Sequence, residues 1–458
     1  MLMELRIDRQ AMVPVVQQIV DGMTDWILRS GVAPSTRLPS VRQIARSNLL
    51  SQSCVVEACE RLVAQGLLSA RQGSGFMVAA ARPDTGCCRG LAAIDGGLAE
   101  GGLQLGEGGL PQSWRESDDL SYAIRQVART DMASLFNYSS PLGLPALREQ
   151  IVKRLRLIDI QARDEQVLTT AGASHALDLL VRTLLKAGDC VVVENPGYAP
   201  LFELLRLHGV QLLEVRRTPS GPDPQALEAL LQQFRPVAMF INSHHHNPTG
   251  SCLAPGVAQQ ILQLCNAHEV QLIEDDVYAD LHNGNGIRLA ALDERVIYVG
   301  SFSKTLSSSL RVGFICAEQP LIARLARVKM ISSMGVSGFN EAVLASLLAS
   351  GAYRKMVQRQ RQRLNTDRAA ALQALEDADW EVFGKPCGGL FIWARSLLSD
   401  PARLHRQAQS SGVRLCAPGA FSPNGEADEW QRINVAYACD LRARQFFRST
   451  RANRPQTF

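Results

Sequence analysis

The chain has 458 residues and a formal net charge of +4, which is too small to indicate nucleic-acid binding by itself. A hydrophobic content of 46% with 20% charged residues is typical of an ordinary globular protein, here of two or three domains. No apolar run of membrane-spanning length and no secretion signal is visible, and the 11 scattered cysteines show no pairs at metal-ligand spacing. We therefore exclude a membrane protein and predict a reduced cytoplasmic compartment.

The first predicted elements are three helices and a hairpin. Apolar residues recur at helical spacing from Ile19, in a helix expected to end before Gly31. Ser40 can cap a second helix and Ser51 a third. Two short apolar runs on either side of the glycines in 72–75 predict a β-hairpin. The third helix has one apolar face, formed by Val55, Val56, Cys59, Leu62 and Val63. This order predicts a winged helix-turn-helix.

The same segment resembles the DNA-binding domain of the GntR family in RLPSVRQIA (37–45), CERLVAQGLL (59–68) and RQGSGFMV (71–78). The resemblance implies that double-stranded DNA is a partner, with arginines at phosphates or guanine edges and short polar residues in the major groove. It places these residues at the duplex: Arg37, Ser40, Arg42, Ser51, Gln52, Ser53, Arg71 and Gly73. Gln52 and Glu57 stand where the family often has basic residues, so the base preference cannot be transferred. The alternative is a winged helix used only for protein contacts.

Residues 79–103 are rich in Gly and Ala and show no periodicity, which predicts a flexible linker between a DNA-binding domain (1–78) and a larger domain (104–458). In the larger domain β-branched runs alternate with helical stretches. This pattern predicts a mostly parallel sheet covered by helices, with ligands at the carboxyl ends of its strands. The predicted strands are Val167–Thr170, Val191–Glu194, Val237–Ile241, Val270–Asp275 and Val296–Gly300.

Lys304 is the residue that points most directly to a cofactor. The chain has only six lysines against 42 arginines, and Ser301, Ser303 and Arg311 lie near this one in the sequence. An amine that forms a Schiff base with pyridoxal 5′-phosphate needs phosphate ligands nearby, and two hydroxyls with a guanidinium can supply them.

Further polar groups follow the predicted strands. The turn Gly172–Ser174 opens a helix whose free N–H groups suit a phosphate, and Tyr198 can stack on a pyridine ring. Asn247 and Tyr278 can donate to a phenolate oxygen, while Asp275 can keep the ring nitrogen protonated. Taken singly, each of these motifs is more typical of an ordinary loop, a surface turn or core packing than of a cofactor site.

In sequence, the motifs GAS, NPGY, NPTG, DDVY and SFSK, with the late Arg432, resemble those of the fold type I aminotransferases. The resemblance implies that Lys304 forms the internal aldimine, that Arg432 takes a substrate carboxylate, and that Tyr138 reaches the cofactor phosphate of a partner subunit. One departure is Ser308-Ser309, where a Pro-Gly pair is usual. The implied catalytic residues are Lys304, Asp275 and Tyr278. The implied cofactor-binding residues are Ala173, Ser174, Tyr198, Asn247, Asp275, Tyr278, Ser301, Ser303, Lys304, Arg311 and Tyr138.

A GntR-type domain fused to an aminotransferase-like domain resembles the MocR subfamily of bacterial regulators. The expected fold is an α+β winged helix-turn-helix domain, then an α/β transferase domain of fold type I with a smaller C-terminal α+β subdomain, in a domain-swapped homodimer. The implied function is transcription regulation, by sensing an amino acid, another amine or a B6 vitamer through the Lys304 aldimine. The alternative is a functional aminotransferase with an accessory DNA-binding domain. Whether the chain is an enzyme stays open, with a sensor favoured.

The run His244-His245-His246 raises the question of a metal site. Adjacent residues on a strand point to alternate faces, so three consecutive histidines cannot all bind one ion. We therefore predict no metal.

Overall fold

The computed structural model describes residues 5, 7, 15–29, 36–64, 68–71, 75–78, 102–130, 136–282, 286–397, 400–426 and 428–451. The chain divides into two compact units, Met1–Cys88 and Arg89–Phe458. Residues 79–101 of the predicted linker lie outside the described residues. Within the part of the chain that is described, no helix is long and apolar enough to cross a membrane.

The first unit consists of helices α1 (Val15–Arg29), α2 (Val41–Ser47) and α3 (Gln52–Ala64), followed by strands β1 (Leu68–Arg71) and β2 (Gly75–Val78). The two strands pair in antiparallel fashion and form the predicted hairpin. The winged helix-turn-helix prediction is therefore confirmed.

Side-chain caps and one apolar core explain why the first unit folds this way. Ser40 Oγ accepts a hydrogen bond from the Gln43 N–H at 3.2 Å, and Ser51 Oγ accepts one from the Cys54 N–H at 3.2 Å. These bonds satisfy backbone donors that a helix start leaves free. The apolar faces of the three helices meet in a core whose most buried members are Ile19, Met23, Val55, Ala58, Cys59 and Leu62.

The second unit alternates strands and helices. Its first part contains β3 (Leu103–Gln104), α4 (Gln112–Arg115), α5 (Asp118–Thr130), α6 (Pro145–Arg156), β4 (Val167–Thr170), α7 (Ala173–Leu184), β5 (Cys190–Asn195), α8 (Ala199–Leu207), β6 (Gln211–Thr218), β7 (Gly221–Pro222), α9 (Pro224–Gln233), β8 (Ala238–Ile241), α10 (Pro255–Ala267), β9 (Gln271–Asp275), α11 (Leu289–Leu292), β10 (Ile297–Ser301), β11 (Gly313–Cys316), α12 (Gln319–Ser333) and α13 (Gly338–Ala349). Its second part contains α14 (Ala352–Glu376), β12 (Trp380–Val382), β13 (Phe391–Ser396), α15 (Pro401–Ser410), β14 (Val413–Arg414), β15 (Gln431–Asn434), α16 (Val435–Ala438) and α17 (Leu441–Ser449).

Among the described residues, eight strands form the main sheet in the order β4-β11-β10-β9-β8-β5-β6-β7. The pairs from β10 to β6 are parallel, whereas β11 runs against both neighbours and β7 against β6. Alternate residues of each strand face the two helical layers, so that Met239 and Leu272 belong to one apolar core while Phe240 and Ile273 belong to the other. The prediction of a mostly parallel sheet covered by helices is confirmed.

The five predicted strands correspond to β4, β5, β8, β9 and β10, whereas β6 and β11 were not predicted. Strand β6 carries Glu214, Arg216 and Arg217 and therefore lacks the apolar run of a buried strand. Strand β11 has only four residues. Both find their place through long-range pairing, with β5 and with β4 and β10 respectively.

A smaller subdomain follows the main sheet, as predicted. In the described residues its strands β12, β13 and β15 form an antiparallel sheet, packed against α14 and α17 in a separate apolar core. Strand β14 pairs with β3, where Val413 stands opposite Leu103. Leu103, the last residue of the predicted linker, is thus already part of a strand. The sequence did not indicate this strand, because its partner lies about 300 residues later and leaves no local pattern.

Candidate functional site

A cavity opens where β4, β5, β8, β9 and β10 end at one edge of the main sheet. It holds about 990 Å³ of space, counting its open mouth. The predicted residues that line it are Ala173, Ser174, Tyr198, Asn247, Asp275, Tyr278, Ser301, Ser303, Lys304 and Arg311. A second cavity shares Tyr198, Asn247 and Lys304 with it and contains Arg432. The fold therefore brings together residues that are spread over more than 250 positions of the sequence.

Lys304 points its amine into the space where the two cavities meet. Its Nζ donates a hydrogen bond to the Gly108 carbonyl at 3.1 Å. Burial, with a smaller effect from the nearby Arg432 guanidinium, lowers the pKa of Lys304 to about 8. A sizeable fraction of the amine is thus unprotonated near neutral pH, which is what a nucleophilic lysine requires.

Asp275 ends β9 at the base of the cavity. Its Oδ1 accepts a hydrogen bond from the Val277 N–H at 3.3 Å, and its backbone carbonyl accepts one from Asn242 Nδ2 at 2.6 Å. Burial raises the pKa of the Asp275 carboxyl to about 7, because these contacts do not replace the water it loses. A cation beside the carboxyl would reverse this effect, so the position suits a protonated ring nitrogen.

The opposite end of the cavity is built from α7 and the loop after β10. Gly172 precedes α7 with a φ of 81°, and a Cβ there would lie 2.6 Å from Arg311 Nη2. Arg311 Nη2 donates to the Ala171 carbonyl at 3.1 Å. The Ser301 hydroxyl accepts from the Ser303 N–H at 3.2 Å, while the buried Ser303 hydroxyl has no hydrogen-bond partner among the described residues. An unsatisfied hydroxyl, a guanidinium and a helix start together suit a phosphate group.

Two aromatic side chains complete the cavity wall. Burial raises the pKa of Tyr198, with Asp275 adding to the effect and a hydrogen bond with Ser174 opposing it. Tyr278 is 2% exposed, and burial raises the pKa of its phenol as well. Both phenols therefore remain protonated at physiological pH and can act as hydrogen-bond donors.

Arg432 projects from β15 into the second cavity. Its Nη1 donates to Asn247 Oδ1 at 2.7 Å, and its Nε and Nη2 donate to the Gly106 carbonyl at 3.1 and 2.6 Å. The guanidinium carbon lies 4.7 Å from the ring centroids of both Phe391 and Phe421. The arginine is thus fixed in one plane, with donors that the two oxygens of a carboxylate could take over.

The loop that supplies the Gly106 and Gly108 carbonyls was not predicted from the sequence. Asn434 holds this loop, because its Nδ2 donates to the carbonyls of Glu107 and Gly109 at 2.8 Å each. Asn242 was missed as well, although it contacts both Asp275 and Asn247. Only the Asn242 position carried a signal, since a polar residue directly follows an apolar strand there.

Tyr138 stands apart from the other predicted residues, whereas the Ser308 turn lines the cavity with them. Tyr138 is 79% exposed and does not line the cavity of its own chain, so its contact with a partner's phosphate stays a prediction. At the Ser308-Ser309 departure, Ser308 Oγ accepts a hydrogen bond from Arg115 Nη1 at 2.9 Å. Arg311 follows with a φ of 47°, in the left-handed region. The lysine-to-arginine spacing therefore still brings Arg311 to the cavity without the Pro-Gly pair.

In the first unit, most of the predicted DNA-binding residues lie at or shortly before the starts of α2 and α3. The exposed ones are Arg37, Ser40, Arg42, Ser51, Gln52 and Ser53. Arg71 lies on β1, and Gly73 lies outside the described residues. Glu57 pairs with Arg61 at 2.8 Å on the exposed side of α3, which neutralises a carboxylate that would repel phosphates.

Two known families match this chain. Aminotransferase class I and II matches residues 100–440, and the gntR family of bacterial regulatory proteins matches residues 15–78. The chain belongs to the aminotransferase class I and II family. That family depends on pyridoxal phosphate, and the gntR domain implies DNA binding.

Relatives that align over most of the chain are also found. The chain is 27% identical over 455 residues to the uncharacterized HTH-type transcriptional regulator YdfD of Bacillus subtilis (strain 168), covering 93% of each. It is 28% identical over 440 residues to the probable rhizopine catabolism regulatory protein MocR of Rhizobium meliloti, covering 90% of this chain and 88% of MocR. These similarities confirm the resemblance to the MocR subfamily.

The second unit also resembles a solved enzyme. LysN, the α-aminoadipate aminotransferase of Thermus thermophilus, was crystallised with N-(5′-phosphopyridoxyl)-L-leucine. It superposes with a TM-score of 0.70 and 26% identity, covering 79% of this chain and 96% of that chain. The protein is thus a GntR-type regulator domain fused to an aminotransferase-like domain of fold type I.

Proposed function

We propose that this protein regulates transcription by binding DNA with its first unit and, with its second unit, pyridoxal phosphate and an effector amino acid. The observation that carries the proposal is Arg432. Its guanidinium lies in the same space as the Lys304 amine and is held by the Gly106 carbonyl and Asn247, two contacts that a carboxylate can replace. Pyridoxal phosphate, when bound, supplies an aldehyde that reacts with amines and a ring that withdraws electrons.

The residues of the main cavity have complementary tasks in this proposal. Ser301, Ser303, Arg311 and the N–H groups that open α7 bind the phosphate. Asp275 ionises once a protonated ring nitrogen lies beside it, which removes the unfavourable burial of an uncompensated carboxylate. Tyr198 stacks on the ring. Tyr278 Oη and Asn247 Nδ2 donate hydrogen bonds to the ring hydroxyl.

The loop around Gly106 and Gly108 connects effector binding to the rest of the chain. An amino acid places its carboxylate on Arg432 and its amine next to Lys304, so it competes with the Gly106 and Gly108 carbonyls for the same donors. Towards the N-terminus this loop continues into β3 and then into residues 79–101, which precede the second unit's described part. A ligand shifts a protein from one conformation to another only if it makes different contacts in the two conformations. Replacing the Gly106 and Gly108 carbonyls by the effector as partners of Arg432 and Lys304 is such a difference.

A homodimer is part of the proposal. Tyr138 is 79% exposed on its own chain, where a tyrosine that serves the phosphate of a second subunit has to be. Two winged-helix units per dimer would bind repeated half-sites. A head-to-tail, domain-swapped arrangement is the form that we propose.

The test of effector binding compares amino acids with the amines that lack their carboxylate. Full-length protein loaded with pyridoxal phosphate is titrated with both ligands, and the absorption of the cofactor is followed. We expect the amino acid to bind more tightly, and Arg432→Ala to reduce that preference about 10- to 100-fold, the usual range for a charge-assisted bidentate contact. Arg395→Ala is the matched control, because Arg395 lies on the adjacent strand and pairs with Glu381. An unchanged preference in Arg432→Ala would remove the amino-acid hypothesis.

The test of DNA binding uses the promoter region next to the gene. Arg42→Ala should weaken binding to all sequences and reduce its salt dependence, because an exposed arginine at the start of α2 contacts phosphates. Gln52→Ala should instead relax specificity, by about 1–3 kcal/mol for a bidentate contact with adenine. Absence of any preference over competitor DNA would contradict the regulator proposal.

A functional aminotransferase is the second candidate, and the complete set of Lys304, Asp275, Tyr198 and Arg432 around one space supports it. Rapid multiple turnovers with an amino acid and a 2-oxo acid, without any effect of the amino acid on DNA affinity, would favour the enzyme. A DNA affinity that responds to pyridoxal phosphate but to no amino acid would favour a B6 vitamer as the signal.

A further inference from the structure

Four sulfur and nitrogen donors lie together near the turn that carries Asn247. Cys252 Sγ is 3.7 Å from His245 Nδ1 and 4.0 Å from Cys387 Sγ, and His282 Nδ1 is 3.2 Å from His245 Nε2. For His245, Cys252 and His282, one ligand atom of each lies within 4.8 Å of the other two. None of the four is among the described residues that line the cofactor cavity.

The donors come from both parts of the second unit. His245 and Cys252 flank the turn after β8, and His282 follows the short turn Ala279–Leu281 after β9. Cys387 belongs to the smaller subdomain, in the loop between β12 and β13. The cluster therefore lies across the boundary between the main sheet and the smaller subdomain.

Glycines allow the His245 ring to enter the cluster. A Cβ on Gly388 would lie 2.9 Å from His245 Nε2, and a Cβ on Gly389 would lie 2.9 Å from His245 Nδ1. Gly389 also has a φ of 73°, and His245 itself has a φ of 48°. Packing the ring directly on this backbone brings a donor of the main-sheet part next to Cys387.

Each of the four side chains offers an imidazole nitrogen or a cysteine sulfur, and binding of a metal ion displaces the proton that a thiol carries. The buried Arg368 donates to the Gly389 carbonyl at 2.7 Å and lies close enough to Cys252 and Cys387 to interact with both electrostatically. Its positive charge favours the thiolates that such an ion would bind.

We propose that His245, Cys252, His282 and Cys387 form a site for one thiophilic divalent cation of the Zn²⁺ class. Thiolate and imidazole are the donors that zinc prefers, whereas Mg²⁺ and Ca²⁺ take oxygen ligands. This proposal differs from the prediction of no metal, which was based only on the run His244-His245-His246. Only His245 of that run takes part, since His246 Nδ1 is 2.9 Å from Thr249 Oγ1 and His244 faces Asp276.

The distances suit a tetrahedral ion after small side-chain rotations. Zinc bonds of about 2.0–2.3 Å place neighbouring ligand atoms roughly 3.3–3.8 Å apart. The separations of 3.7 and 4.0 Å around Cys252 are already within a few tenths of an ångström of that range. A pair of histidine or Cys252 donors at the 4.8 Å limit has to move closer by about 1–1.5 Å. A bound ion would thereby connect the two parts of the second unit.

The test uses the full-length protein, reduced with a phosphine and stripped of metal. Zn²⁺ is titrated in competition with a chromophoric chelator, and Co²⁺ is titrated while its absorption is recorded. We expect one tight equivalent per chain and a thiolate-to-cobalt charge-transfer band. Cys252→Ser and His282→Gln should each weaken Zn²⁺ binding at least about tenfold. Cys190→Ser and His268→Gln are matched controls, because they remove a thiol at the far end of β5 and an exposed imidazole.

Several results would overturn this proposal. One is the absence of a tight equivalent in the native chain, and another is Zn²⁺ affinity that is equal in native protein, Cys252→Ser and His282→Gln. The cobalt band of the native chain decides the question independently if a variant folds poorly, since a spectrum without thiolate absorption rejects Cys252 and Cys387 as ligands. A chain that takes up no metal, but whose Cys252 and Cys387 thiols are oxidised to a disulfide by hydrogen peroxide with release of water, has a redox pair instead.

Discussion

Replacing Asp275 by asparagine should make the cofactor-free protein more stable and the cofactor bind more weakly. The carboxyl ends β9 inside the cavity, where its side chain accepts one backbone hydrogen bond, from the Val277 N–H at 3.3 Å. The side-chain oxygen of the introduced asparagine can accept the same bond. The substitution therefore removes the charge but keeps the shape and the local contact.

The size of the effect follows from the pKa of the carboxyl, which burial raises from 3.8 to about 7. A carboxyl with a raised pKa in the folded chain destabilises that chain wherever the unfolded form is ionised. The cost is absent below pH 4, grows between pH 4 and 7, and is constant above pH 7. The shift corresponds to an upper limit of about 4 kcal/mol. Asp275 is only partly buried and faces a cavity that water can enter, so we expect about 2 kcal/mol.

The assay is urea unfolding of the cofactor-free full-length chain at a series of pH values. Four of the five tryptophans (Trp114, Trp380, Trp393 and Trp430) belong to the second unit and report its transition. The free energy of unfolding of Asp275→Asn minus that of the native chain should be near zero at pH 4 and rise to about 2 kcal/mol at pH 8. Titration with pyridoxal phosphate should show weaker binding to the variant. A difference that does not change with pH, or a native chain that is the more stable at pH 8, would refute the reasoning.

Three further substitutions test other parts of the molecule. Gly172→Ala should weaken pyridoxal phosphate binding about tenfold or more in an absorption titration, because a left-handed backbone costs about 1–2 kcal/mol and the new Cβ lies 2.6 Å from Arg311 Nη2. Ser51→Ala should destabilise the first unit by about 1 kcal/mol in thermal unfolding, since the Cys54 N–H loses its acceptor. Tyr138→Phe should leave the stability of the chain unchanged, because the ring is 79% exposed, yet speed the loss of cofactor from the proposed dimer during dialysis.

The sequence predicted those elements whose local pattern agrees with their burial. Features of the first unit that depend on neighbours a few residues away are present as predicted. They are the caps Ser40 and Ser51, the apolar face of α3 and the two strands of the hairpin around 72–75. The apolar strands β4, β5, β8, β9 and β10 carry their own signal in the same way. Strands β6 and β11 carry no such signal, because charged residues or shortness mask them.

The chemistry of the cavity was also readable from the sequence, because in a parallel sheet the residues that follow each strand meet at one edge whatever the loops between them. Lys304, Asp275, Asn247 and Tyr198 could be placed together on that ground, and the cavity contains all four.

Contacts that depend on the position of the smaller subdomain could not be read in this way. The Gly106 carbonyl meets Arg432 across 326 positions, the Gly108 carbonyl meets Lys304 across 196, and Cys387 meets Cys252 across 135. Each contact arises from two segments that are separately ordinary, a glycine-rich loop or a single cysteine, and that adjoin only when the smaller subdomain packs against the main sheet. Local residue patterns determine which side chains can act at the end of a strand. Packing between distant segments decides what those side chains contact. The free energy of that packing depends on residues far apart in the sequence, so no short stretch of the chain reveals it.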